Sequence, residues 1–246
     1  MISFANAKIN IGLQVLNRRP DGYHNLETVF YPVKIYDILE VIASDSLKLE
    51  VSGIGIPNDN QDNLCILAYK ALAKDYDLSP VHIYLHKQIP IGAGLGGGSA
   101  DAAFLINLLS QFFQLELDDE TKENYARALG ADCSFFIKNK PVFASGIGDV
   151  FSSVKVDLAA YHLVLVKPPI HVSTGEAYGS IQSSRGTKNL QEKINLPVEM
   201  WKDHIFNDFE VGIFKRYPEI RGIKSALYDS GAIYASMSGS GSTVYG

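Results

Sequence analysis

Five glycines fall within seven residues in Pro90-Ile-Gly-Ala-Gly-Leu-Gly-Gly-Gly-Ser99. Glycine reaches positive φ and lets a ligand approach the backbone without meeting a Cβ. The alternating run 81–86 leads into this stretch as a strand. Residues 99–113 lead out of it as a helix, with Ala103, Ile106, Leu109 and Phe113 at helical spacing and Asp101 in the first turn. Free amides of the loop and of the first helical turn, together with the helix dipole, make an anion site, and phosphate is the anion most often held there. A flexible linker would not be framed by Leu95 and an Ala-rich amphipathic helix. The stretch lacks the Lys-Ser/Thr ending of a Walker loop, and about 80 residues precede it, so it does not open a first dinucleotide-binding unit.

Residues 7–15 alternate as a strand. Ile9, Ile11, Leu13 and Val15 share one face, and Lys8, Asn10, Gly12 and Gln14 share the other. Spacing alone makes that polar face a solvated edge, although a lysine beside an amide also suits a site floor, offering a point charge with a donor and an acceptor. Pro20-Asp-Gly22 is a turn, followed by Tyr23 and His24. Short strands are expected at 28–33, 38–42 and 47–51, which with 81–87 suggest an antiparallel-rich sheet. Residues 62–72 read as a helix capped by Asp62 or Asn63, with Leu64, Leu67, Ala68, Ala71 and Leu72 buried. Asp118 or Asp119 caps a helix that stops at Leu129-Gly130, and Asp132 just beyond suits another N-cap. Strands follow at 142–147 and 161–167, with a turn at 146–149. Ser173-x-x-Glu176 is a capping-box pattern, and 188–203 is polar and irregular. An amphipathic helix at 218–230 stops at Gly231, and a strand at 233–237 leads to the small-residue loop 238–243.

Pro90-x-x-x-Gly94-Leu-Gly96 before small residues and a helix resembles the second motif of the GHMP small-molecule kinases, the superfamily of galactose, homoserine, mevalonate and phosphomevalonate kinases. Its continuation, Gly96 to Ala103, is similar to the version found in the 4-diphosphocytidyl-2-C-methyl-D-erythritol kinases, and Asp21-Gly-Tyr-His24 resembles the signature of that family. Ala7-Lys-x-Asn10 matches the first superfamily motif and Ser238 to Thr243 resembles the third. Gly130-Ala-Asp132 matches the motif of the catalytic base, with Cys133 and Ser134 in place of the more usual Val-Pro. The resemblance implies the α+β GHMP kinase fold: two lobes with mixed and antiparallel sheets and helices, and the active site in the inter-lobe cleft. Residues 1–150 would form an ATP-binding lobe and 151–246 a substrate lobe. Relatives usually continue with a strand and a helix, so the C-terminal end looks short.

The implied reaction moves the γ-phosphate of ATP, with Mg²⁺, to the 2-hydroxyl of 4-diphosphocytidyl-2-C-methyl-D-erythritol, in the non-mevalonate route to isoprenoid precursors. The alternatives are a homoserine- or mevalonate-type kinase of the same superfamily, or a non-catalytic nucleotide-binding relative. By the resemblance, Asp132 is the base and Lys8 lies beside it, lowering the hydroxyl pKa by Coulomb attraction. Pro90, Gly92, Gly94, Leu95, Gly96, Gly97, Gly98 and Ser99 would hold the nucleotide phosphates. Asn63 falls at the adenine pocket, although capping explains it sufficiently. The Ser99 hydroxyl is a magnesium or β-phosphate contact, or the N-cap of its helix. Asn10, Tyr23, His24, Thr174 and Tyr178 would meet the substrate, the two tyrosines covering the cytosine from opposite sides and His24 its polar edge. Tyr178 could equally be core, and Cys133 reads as a small buried residue.

Composition narrows the classes. The chain has 246 residues, 46% hydrophobic and 20% charged, enough for one large domain or two intimate ones. A formal charge of −5 with no basic stripe argues against a nucleic-acid surface. Two cysteines without a C-x-x-C pattern, and six histidines without metal-ligand spacing, fit reduced thiols and no dedicated metal motif. No signal peptide and no run of 18 apolar residues is present, so a cytoplasmic protein away from membranes, monomer or homodimer, is expected.

Overall fold

The computed structural model describes residues 1–56, 63–181 and 189–246. Asp62 and Lys188, each expected at the start of a segment, lie outside the described residues. Two long strands open the chain, β1 (Ile2–Arg18) and β2 (His24–Ala43), and they pair with each other. The strands expected at 28–33 and 38–42 are thus one. Pro32 interrupts nothing because it falls between two registers of β2, Thr28 to Phe30 and Ile38 to Ala43, where a missing N–H costs neither of those ladders a bond. Along β1 every residue from Ala5 to Val15 is buried, so the polar face is not the solvated edge that spacing suggests.

The chain packs as two compact units, each assembled from three stretches. The first comprises Met1–Lys8, Pro32–Ile91 and Gly96–Lys140. In it β3 (Lys48–Gly53) runs parallel to β4 (Val81–Lys87), and β4 runs antiparallel to β2. A parallel pair needs a crossover, and α1 (Leu64–Leu72) lies on it. Val81, Ile83 and Leu85 are buried while His82, Tyr84 and His86 between them are half-buried, the alternation of a sheet covered on one face. Helices α2 (Gly97–Phe112) and α3 (Asp119–Leu129) pack with α1, and α4 (Phe135–Lys138) packs on α2 and α3. The buried face of α1 is Cys65, Ile66, Ala68, Tyr69 and Leu72, which leaves Leu64, Leu67 and Ala71 of the expected set only half-buried.

The second unit comprises Ile9–Tyr31, Gly92–Leu95 and Pro141–Gly246. β2 pairs there with β5 (Val142–Ser145), which folds back on β6 (Val150–Ser153) through the 146–149 turn. A small antiparallel sheet places β9 (Val244–Tyr245) between β7 (Leu165–Val166) and β8 (Ser236–Met237). The strands expected at 161–167 and 233–237 shrink to these pairs, and Tyr161, Leu163, Val164 and Ile233 stay exposed. Stretch 188–203 is not irregular in its described part. It holds α6 (Leu190–Lys193), a 3₁₀ turn at Val198–Met200 and α7 (Trp201–His204), organised by buried Leu190, Ile194 and Trp201. Helices α5 (Thr174–Gly179), α8 (Phe209–Arg216) and α9 (Pro218–Asp229) complete the unit. Its core joins Leu13, Val15, Val172, Phe209, Ile213 and Met237. Among the described residues no helix is long and apolar enough to cross a membrane.

Candidate active site

In the first unit the glycine-rich stretch ends in a helix N-terminus. Gly96 is the N-cap with φ 70° and ψ 17°, the left-handed region that glycine enters without penalty. The amide of Ala100 donates to the Gly96 carbonyl at 2.9 Å, closing the first turn. Helix geometry gives the amides of Gly97, Gly98 and Ser99 no intrahelical acceptor, and Gly98 is exposed. Because α2 begins at Gly97 rather than Ser99, Ser99 is its third residue and not its cap, and Asp101 lies beyond the first turn. Packing fixes this corner. A Cβ on Gly97 would lie 2.9 Å from Ile89, and one on Gly96 would press on the Lys8 stem at 3.1 Å and on Phe136 at 3.0 Å. Pro90 is half-buried and Leu95 fully so, anchoring the loop.

Lys8 therefore runs beneath the start of α2, almost wholly buried, and its Nζ meets Asp132 Oδ2 at 3.2 Å. Asp132 sits in the turn between α3 and α4. It caps nothing, since Ser134 holds the cap position of α4, so its carboxylate is left for Lys8 and for solvent. The neighbouring Cys133 is fully buried, and burial pushes its thiol up to about 11 against a lowering contact from the Ser99 hydroxyl. That state is no nucleophile at neutral pH. Asn63 caps α1, accepting from the Cys65 amide at 2.9 Å, and the adjacent Leu64 is the nearest neighbour of the Cα side of Gly98.

In the second unit the small-residue loop after β8 meets the middle of the glycine-rich stretch. Ser238 Oγ donates to the Gly94 carbonyl at 2.7 Å and accepts from the Asn10 amide at 3.2 Å. Gly94, at φ +74°, has no room for a Cβ, which would collide with the Ser238 carbonyl. The buried Asn10 side chain donates to Thr28 Oγ1 at 3.0 Å, and Tyr245 Oη donates to the Asn10 carbonyl at 2.8 Å. Gly92, at φ +60°, lies under the His171 ring. His24 stacks on Tyr178 with centroids 5.0 Å apart and an interplanar angle of 18°, and Tyr178 stands edge-on to Phe209. Tyr23 is 62% exposed on its hairpin turn, and Thr174 is exposed at the start of α5.

One cluster escapes sequence reasoning. Lys87, Asp37 and Asp101 are all buried in the first unit, and the Lys87 ammonium donates to Asp37 and, at 2.6 Å, to Asp101. Asp37 also accepts from the amides of Gln88 at 2.6 Å and Ile89 at 2.8 Å, just before Pro90. Burial lowers the Lys87 ammonium, but the two carboxylates outweigh it and leave Lys87 above its ordinary value. Burial raises Asp101 to about 7, with Lys87 pulling down and Asp37 pushing up. In the sequence, Asp101 stands out as the one charged residue of α2.

Comparison with known proteins follows the same lines. Residues 63–154 match the family model described as GHMP kinases N terminal domain, and residues 193–246 the one described as GHMP kinases C terminal. A protein of Bacteroides fragilis (strain YCH46) named 4-diphosphocytidyl-2-C-methyl-D-erythritol kinase is 55% identical over 250 residues, spanning 100% of this chain and 91% of the relative. One of the same name from Azobacteroides pseudotrichonymphae genomovar. CFP2 is 53% identical over 100% of this chain and 92% of its own. A crystal structure of a 4-(cytidine 5'-diphospho)-2C-methyl-D-erythritol kinase superposes with a TM-score of 0.83 at 30% identity, covering 100% of this chain and 89% of that one.

Proposed function

The chain belongs to the GHMP kinase family, in its 4-diphosphocytidyl-2-C-methyl-D-erythritol kinase branch, and from that premise we propose that it transfers the γ-phosphate of ATP to the 2-hydroxyl of 4-diphosphocytidyl-2-C-methyl-D-erythritol. The observation that carries the mechanism is the 3.2 Å contact of buried Lys8 with Asp132 beside the N-terminus of α2. Phosphoryl transfer needs positioning, charge neutralisation and a base for the hydroxyl proton. Asp132, partly solvent-exposed, accepts that proton. Lys8 favours the developing alkoxide by Coulomb attraction. The amides of Gly97, Gly98 and Ser99 receive phosphate oxygens, and glycine permits that approach.

Magnesium fits this donor set in one way. That ion is usually carried mostly by phosphate oxygens and water with one or two protein oxygens. Ser99 Oγ is the oxygen that would serve, and the ion would offset phosphate charge. On the acceptor side, Tyr23 offers an open π face and His24 a polar edge for cytosine, with Tyr178 packed behind His24. Exposed Thr174 and buried Asn10 would complete that side. Release of ADP from ATP should be measured with the cytidyl substrate, homoserine and mevalonate in parallel. Turnover with the cytidyl substrate alone is expected, and turnover with either of the others instead would overturn the reading.

A further inference from the structure

Asn207 is 1% exposed and opens Asn207-Asp-Phe-Glu210, which resembles a family segment framing the substrate cleft without a role for any single side chain. Its backbone is fixed to β1: the Leu13 amide donates to the Phe206 carbonyl at 3.0 Å, the Asp208 amide donates to the Leu13 carbonyl at 2.8 Å, and the Val15 amide donates to Asp208 Oδ2 at 2.8 Å. Its side-chain amide faces the other way. Nδ2 donates to the carbonyls of Met237 and Gly239, both at 2.8 Å, while Oδ1 accepts from the Phe209 amide at 3.0 Å. Both amide hydrogens and the carbonyl oxygen are therefore used, leaving no freedom to rotate. The two gripped carbonyls flank Ser238, whose hydroxyl spans Asn10 and Gly94. Gly239 packs so closely on Asn10 that a Cβ there would lie 3.1 Å from Asn10 Oδ1. The bonds form a closed circuit, from β1 through Asn207 to the loop and back to β1 at Asn10.

We infer that Asn207 is a positioning residue: by holding the Met237 and Gly239 carbonyls it sets the separation of Asn10, on the acceptor side, from Gly94 of the phosphate loop. The effect on catalysis rests on the kinase reading above, whereas the effect on the loop does not. A circuit with every donor used once holds its members more tightly than separate bonds would, and errors of about 1 Å in such a frame can cost 10²-fold in rate. Asparagine suits the task because two donors on one planar group reach two carbonyls on either side of a single residue.

The test is a double-mutant cycle of Asn207→Ala and Ser238→Ala, assayed well below the melting temperature. Asn207→Ala should lower kcat by about 10- to 10²-fold with a smaller change in KM for ATP. Its effect should shrink several-fold in the Ser238→Ala background, because both act through one loop. Full additivity, or unchanged kcat with only a lowered Tm, would overturn the inference. Should Asn207→Ala fail to fold, Ser238→Ala alone decides, since unchanged kcat there removes the loop from catalysis. Should the wild type lack kinase activity, the functional reading fails and hydrogen exchange judges the clamp. Protection of residues 237–243 should fall in Asn207→Ala, and unaltered protection would sink it.

Discussion

Lys8 keeps 4% of its side chain in solvent and Asp132 keeps 36%, so the two halves of the pair respond differently to removal. Asp132→Asn retains an oxygen facing Lys8 and costs no packing, yet it abolishes the base. It should lower kcat by about 10²-fold or more while calorimetric ATP affinity holds, and near-normal kcat would remove Asp132 from the chemistry. Lys8→Met keeps the buried stem beneath Gly96 and leaves behind a carboxylate already in contact with water. Single-turnover transfer should collapse while circular dichroism stays native, and an unfolded variant would instead make Lys8 structural. The tyrosines divide similarly. Tyr23 is exposed, so Tyr23→Ala should weaken the cytidyl substrate by about 10- to 10²-fold, the loss of one stacked ring, with Tm unmoved. Tyr178 is packed on His24 and Phe209, so Tyr178→Ala should lower both affinity and Tm. Titration calorimetry beside thermal melts separates the two, and equal behaviour would reject the division. Lys8 and Asp132 were legible because short motifs carry them. The Lys87 cluster was not, because its partners lie 50 and 14 positions away and no local pattern announces an ion pair of that kind.

At the scale of elements, the glycine-rich stretch is read well from sequence in kind and less well in its edges. The strand at Val81–Lys87 and the helix after the glycines are both present, but the helix starts two residues early. Propensity counts glycine as a breaker, whereas here Gly97 is packed on Ile89 and the left-handed cap at Gly96 sets the turn that Gly97 and Gly98 continue. The two-residue strands β7 and β8 are shorter than their apolar pattern suggests for the opposite reason: Tyr161, Leu163, Val164 and Ile233 look like strand, yet their side chains stay exposed, although Val164 still exchanges backbone bonds with Gly246. Tertiary contact also decides what Gly94 tolerates. Alanine there would meet the Ser238 carbonyl in a conformation that itself costs an L-residue roughly 1–2 kcal/mol. Gly94→Ala should thus raise KM for ATP and lower the urea midpoint together, whereas Gly98→Ala, whose Cβ would lie 3.8 Å from Leu64, should fold normally. Equal urea midpoints for the two variants would contradict the geometry.

For the whole molecule, the buried cluster makes folding stability depend on pH in a definite direction. Asp101 holds a proton up to about 7 in the folded chain, against about 4 for an ordinary carboxyl. Between those values the native state binds more protons than the unfolded state, so stability falls as pH rises, by at most about 1.4 kcal/mol per pH unit for one group. Above about 7 both states are ionised and this slope ends. Lys87, raised above the usual lysine range, contributes stability that is lost only at alkaline pH, outside this window. Asp101→Asn removes the titration, and the amide oxygen can still accept from Lys87. Its urea-unfolding stability, relative to wild type, should therefore climb between about pH 4 and pH 7 and then level off. A difference that stays constant across the range would mean that Asp101 is already ionised in the folded protein, held by Lys87 against its burial.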